Sequence, residues 1–155
     1  MQHGLVFDVW VYRRDSDAVR YLILRTSVEK AEKWFNGGRF WQIPSNLLAD
    51  GDTLVPAVRR CLDSYGIDAA AIWAVEHTYT IYNRRFDELQ TIVVVAAEAE
   101  GTPDVRLSEE HSEYRWATAD ECDALLGFRG LKEGLEWTRR YITETSTPLP
   151  ELQLV

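Results

Sequence analysis

The chain has 155 residues, 46% of them hydrophobic and 27% charged, and carries a formal charge of −8. That length suits one domain that buries about two-thirds of its unfolded surface. The acidity argues against a nucleic-acid partner, which a basic patch would hold, and no stretch reaches the roughly 18 apolar residues of a membrane span.

The opening MQHGLVFDVW has no basic segment followed by a long apolar run, so no secretory leader is expected. Cys61 and Cys122 have no zinc-like spacing, which points to a reduced, cytoplasmic chain with Cys61 as a small core residue. Gly4 to Arg13, rich in Val, Phe, Trp and Tyr, reads as a strand. Turn chemistry at Arg14-Asp15-Ser16-Asp17 leads to a second strand over Val19 to Thr26, which makes a hairpin. Val28 to Phe35 is a short helical or irregular insert, and Phe40 to Pro44 a short buried strand.

The pattern predicts a helix over Thr53 to Tyr65, because Leu54, Ala57, Val58, Cys61, Leu62 and Tyr65 recur at three- and four-residue intervals. Asp52 or Thr53 caps it, Pro56 sits in the first turn, and Gly66 stops it. Ala71 to Tyr82 and Glu88 to Ala99 are strand candidates, and Ser112 to Trp116 a further short one. Helices are expected over Ala119 to Leu126 and Leu131 to Ile142. Residues 1–142 then form a single domain, and 143–155, with two prolines, a loosely docked tail. Strands on either side of one central helix, with a second helix at the end, suggest an α/β sandwich.

The stretch FWQIPSNLLADGDTLVPAVRRCLDSYGI, Phe40 to Ile67, resembles the box of the Nudix (MutT-like) hydrolases. Their pattern is a glycine, five residues, a glutamate, seven residues, then Arg-Glu-apolar-x-Glu-Glu-x-Gly-apolar. Arg59, Cys61, Gly66 and Ile67 match it in register, while Arg60, Asp63 and Ser64 stand where the glutamates belong. Pro44, Ser45 and Asn46 occupy the place of a Pro-Gly-Gly turn, and Asn46 tolerates the left-handed backbone such a turn needs. Asn46 to Asp52 keeps the five-residue gap with Asp for Glu, but only six residues separate Asp52 from Arg59. The box keeps its frame and has lost most of its acids.

The resemblance implies a sandwich with a mixed sheet, a Mg²⁺ or Mn²⁺ cofactor and a small nucleotide or nucleoside-diphosphate derivative as substrate. Positions 60, 63 and 64 share a helix face. In the family that face is carboxylate, because Mg²⁺ demands several anionic oxygens. Here it offers a guanidinium that repels the ion and is placed to pair with Asp63, which makes the cofactor doubtful. The remaining metal candidates are Asp63 and Asp52; the catalytic candidates are Asp63, Glu110 and Glu113, the last two in a loop that supplies an acid in many relatives. Arg59 and Arg60 are a solvated pair or a metal-free phosphate clamp, and with Asn46 and Trp41 they form the substrate-binding set.

Three functions fit these residues. One is a metal-assisted pyrophosphohydrolase; the second a nucleotide-binding or regulatory domain of the same fold without turnover; the third an interaction domain, including a homodimer, that uses exposed aromatic rings.

Overall fold

The computed structural model describes residues 3–155. Its elements are strands β1 (His3–Arg14) and β2 (Val19–Thr26), helix α1 (Val28–Phe35), strands β3 (Trp41–Gln42) and β4 (Ser45–Leu47), helix α2 (Leu54–Ser64), strands β5 (Ala69–Asn83), β6 (Glu88–Ala99) and β7 (His111–Ala117), and helices α3 (Ala119–Leu125) and α4 (Arg129–Thr138). A π-helical turn, Arg139–Thr143, extends α4.

All seven strands form one mixed sheet in the order β3-β2-β1-β6-β5, with β4 added to β1 and β7 to β2. The β1–β6 pairing is parallel, from His3 opposite Leu89 to Tyr12 opposite Glu98, and the other pairings are antiparallel. Because strand side chains alternate between faces, β1 sends Phe7, Val9 and Val11 to one side and Trp10 and Tyr12 to the other. The first set packs with Ala57, Val58, Cys61 and Leu62 of α2. The second packs with Cys122 of α3 and Leu131 and Leu135 of α4. Helices therefore cover both faces of the sheet, the α/β/α sandwich expected from the order of elements.

Local chemistry sets the helix ends. Ser27 Oγ accepts the Lys30 N–H at the start of α1, and Asn36 closes that helix in the left-handed conformation. Thr118 and Glu121 form a capping box on α3. Thr53 starts α2 without a side-chain bond, and Gly66 beyond its end has φ +73°. The expected strand over Phe40 to Pro44 is shortened to Trp41–Gln42, and a separate strand, β4, begins only after Pro44. Pro44 has no N–H to place in a ladder, and only its carbonyl is engaged, accepting the Val9 N–H at 2.8 Å. Asn46 is an extended residue of β4, paired with Phe7, and not a left-handed turn residue; the ladder to β1 straightens the segment.

After the π-helical turn the chain returns to the outer edge of β5. The Leu154 N–H donates to the Ile72 carbonyl at 2.7 Å, and Gln153 bridges Trp73, so the tail covers part of that edge. Among the described residues no helix is long and apolar enough to cross a membrane.

Candidate functional site

Helix α2 buries its apolar stripe and turns Arg59, Arg60, Asp63 and Ser64 to solvent. Arg60 pairs with Asp52 and not with Asp63: its Nη2 lies 3.0 Å from Asp52 Oδ1. Asp52 is held for this contact, since its Oδ2 also accepts the Ala49 N–H at 3.3 Å and closes the preceding loop. The Ser64 hydroxyl is committed to the Cys61 carbonyl at 2.6 Å, within the helix. Asp63 borders a shallow hollow of about 300 Å³ with Arg59, Asp68 and Glu100.

These donors do not fit a divalent ion. A hard cation of this size needs several anionic oxygens in one array. Among the described residues, no three His, Cys, Asp or Glu side chains are placed to hold one. The two oxygens of Asp52 are answered by a guanidinium and a backbone N–H.

The acidic stretch before and within β7 is pinned by cations from the neighbouring elements. Lys30 Nζ of α1 lies 3.5 Å from Glu110, and Arg25 Nη1 of β2 lies 3.0 Å from Glu113. Arg39 donates to Ser112 Oγ at 2.6 Å and, through Nε, to the Thr26 carbonyl at 3.0 Å. Burial pushes the Lys30 ammonium below its ordinary pKa, and Glu110 pulls it partly back. His111 is buried beside them; desolvation, then the Lys30 charge, holds its pKa down to about 4, so the ring is neutral at pH 7. Trp41, on β3, carries the Arg115 guanidinium 5.2 Å from its ring centre. The sequence-predicted residues thus stand on α2, the loop before it, β3, β4 and the β7 segment, and among the described residues Arg60, Asp52, Glu110 and Glu113 each have a partner of opposite sign.

A second constellation was not read from the sequence. Asp8, only 5% exposed, is the one charged side chain among the described buried residues of β1. It faces the α4 side, accepts a hydrogen bond from the Tyr79 hydroxyl of β5, and lies opposite Ser45 in the β1–β4 pairing. Burial raises its pKa to about 6, while hydrogen bonds to Tyr79 and Ser45 offset only part of the rise. Burial, followed by the Asp8 charge, keeps Tyr79 protonated far above its ordinary range. The N-terminal turn of α4 closes over this pair: Gly130 is so near that a Cβ would meet the Tyr79 ring at 2.3 Å. Two residues earlier, Phe128 packs 4.8 Å from Phe40 and 6.2 Å from Phe35, centre to centre. The start of α4 thus covers the Asp8–Tyr79 pair at Gly130, while Phe128, Phe40 and Phe35 form a cluster of rings just before it. The available signal was parity: in FDVWVY, Asp8 shares its side of the strand with Trp10 and Tyr12.

A three-layer sandwich with a loop-helix box beneath it defines the class of protein. The sequence model of the NUDIX domain matches residues 2–141, so the chain belongs to the NUDIX family. Among curated proteins it is similar to the asymmetrical bis(5'-nucleosyl)-tetraphosphatase of Sus scrofa, 28% identical over 131 residues, covering 83% of this chain and 84% of the pig protein. The Mus musculus protein of the same name is 24% identical over 136 residues, covering 86% and 87%. Among solved structures, a C. elegans Ap4A hydrolase binary complex superposes with a TM-score of 0.73 at 15% identity, covering 92% of this chain and 99% of that one. The NUDIX domain of Shewanella oneidensis NrtR, solved with ADP ribose, gives 0.70 at 16% identity, covering 90% and 88%.

Proposed function

We propose that this protein binds a nucleotide-derived small molecule and turns it over slowly, if at all, by the metal-dependent route of its family. The observation that carries this reading is the Arg60–Asp52 ion pair on the helix face where the family's pattern places carboxylates. A fixed cation there repels a divalent ion and attracts a phosphate oxygen. Arg60 is 61% exposed, so its remaining N–H groups are open to a ligand.

The relatives suggest which ligands to try. Bis(5'-nucleosyl) tetraphosphates and ADP ribose, named in the curated and solved relatives, belong in the panel. Both cysteines are buried and unpaired, which supports a reducing, cytoplasmic setting for the work.

A second reading, a working hydrolase of the same ligands, is favoured by the likeness to the pig enzyme along most of both chains. Thermal shift on this panel, with and without Mg²⁺, separates the two. Binding alone predicts a rise in melting temperature of equal size with or without the ion. A rise that appears only with Mg²⁺, together with product release, makes the protein a hydrolase.

A further inference from the structure

On the α4 side of edge strand β5 lies a cleft of about 920 Å³, walled by β5, by α4 with its π-helical turn, and by the returning tail. That volume is within the range of small-molecule sites, and no residue assigned to the nucleotide site lines it. Its floor holds His77, whose Nε2 is buried and has no hydrogen-bond partner; the nearest carboxylate oxygen, on Glu133, is 4.0 Å away. Buried polar atoms of this kind normally find a partner. The backbone is bent to build this floor. A register shift between Ala74 and His77 leaves Glu76 at φ +57°, a conformation that a residue with a side chain rarely adopts. Glu76 lines the cleft as well.

The rest of the lining identifies the ligand's chemistry. His77, Trp137 and Tyr141 form a run of rings with centres 6.3 and 5.7 Å apart, the last two stacked at 25°. The Arg140 guanidinium lies 5.9 and 5.8 Å from the Trp137 and Tyr141 ring centres, so these rings already neighbour a cation. Glu76, Glu133 and Glu136 stand around them with Arg140 the one cation of the lining; Glu133 also pairs with Arg129 at 3.6 Å, and neither Glu76 nor Glu136 is in an ion pair among the described residues. A phosphate-bearing ligand would meet net repulsion. An aliphatic amine would lay its methylenes on the rings and place its ammonium groups on the carboxylates. We propose that this cleft is a binding site for a small organic polyamine, separate from the nucleotide site.

Spermidine is the probe, titrated calorimetrically at fixed ionic strength against the full chain. Saturable binding is expected, with Trp fluorescence changing in step. The exposed double variant Glu133→Gln/Glu136→Gln should weaken it about tenfold at an unchanged melting temperature. Trp137→Phe should keep the fold and lose the fluorescence change. Three results would overturn the proposal: no binding up to about 10 mM, equal affinity in the double variant, or equally effective displacement by Mg²⁺ at the same ionic strength, which would mean a diffuse ion atmosphere. Adenosine saturating this cleft while spermidine does not would overturn it too.

Discussion

Arg60 and Asp52 are held 3.0 Å apart, between the second half of α2 and the loop that leads into it. The contact joins the arginine that stands at a glutamate position of the box to an acid of the loop before the helix. It answers the carboxylate and places a guanidinium where the family's pattern has an acid, and the proposed function rests on that exchange of roles.

The pair is exposed on the arginine side, so its worth to folding is small. Arg60→Ala should change stability by no more than about 1 kcal/mol. The same substitution should weaken any metal-independent nucleotide binding by roughly tenfold, the loss of one charge-assisted contact. Denaturation in urea beside a nucleotide titration checks both. A large loss of stability with unchanged affinity would make Arg60 a structural residue only.

Restoring the acids should restore the chemistry if the pocket still admits the substrate. The triple variant Arg60→Glu/Asp63→Glu/Ser64→Glu is expected to hydrolyse at least one nucleotide of the panel in Mg²⁺ or Mn²⁺ faster than the natural chain by about 100-fold or more. Phosphate or nucleotide release read by chromatography is sufficient. A variant that gains metal binding and no turnover would show that the substrate site, too, has changed.

Asp8 and His111 make opposite contributions to stability as pH changes. The Asp8 pKa is raised from 3.8 to about 6, so the folded state holds the proton more tightly and stability falls as pH rises across that window. At neutral pH Asp8→Asn should therefore stabilise the fold by about 1–3 kcal/mol, and by little below pH 4. His111, held down to about 4 from 6.5, is neutral when buried, so its contribution to stability grows as pH rises from 4 to 6.5. The natural chain should show a shallow profile, Asp8→Asn a rising one and His111→Gln a falling one, in urea midpoints between pH 4 and 7. Identical slopes in all three would contradict these shifts.

Gly130 lets α4 press on Tyr79. Gly130→Ala puts a methyl 2.3 Å from the ring and should cost about 2 kcal/mol or more, because overpacking a core forces neighbours to shift. In a Tyr79→Ala background the same change should cost under about 1 kcal/mol, since the obstacle is gone. Additive losses would mean that the glycine serves the backbone and not the ring.

Helix α2 was legible in the sequence because one period places Ala57, Val58, Cys61 and Leu62 inward, and all four are buried. The β1–β2 hairpin and β6 were legible for the matching reason, a run of Val, Ile and aromatic residues bounded by turns. The break at Pro44 and the extended form of Asn46 were not, since they depend on a ladder with β1, far away in the chain. The box could be read as short of acids, yet the partner of Arg60 could not: i+3 spacing nominated Asp63, and the loop delivered Asp52. Asp8 escaped because an acid in a strand reads as the solvent side until both faces of the sheet are known to be covered. The same holds for Lys30 and Arg25, whose carboxylate partners come from β7 and the residue before it, dozens of positions later.

The central claim concerns the α2 face, and Mn²⁺ titration followed by nuclear magnetic resonance tests it most directly. The natural chain is predicted to bind Mn²⁺ more weakly than about 1 mM, with no selective broadening of the Asp52, Arg60 and Asp63 amides. Arg60→Glu should tighten binding and broaden those signals first. Tight Mn²⁺ binding by the natural chain, centred on those same amides, would contradict the account.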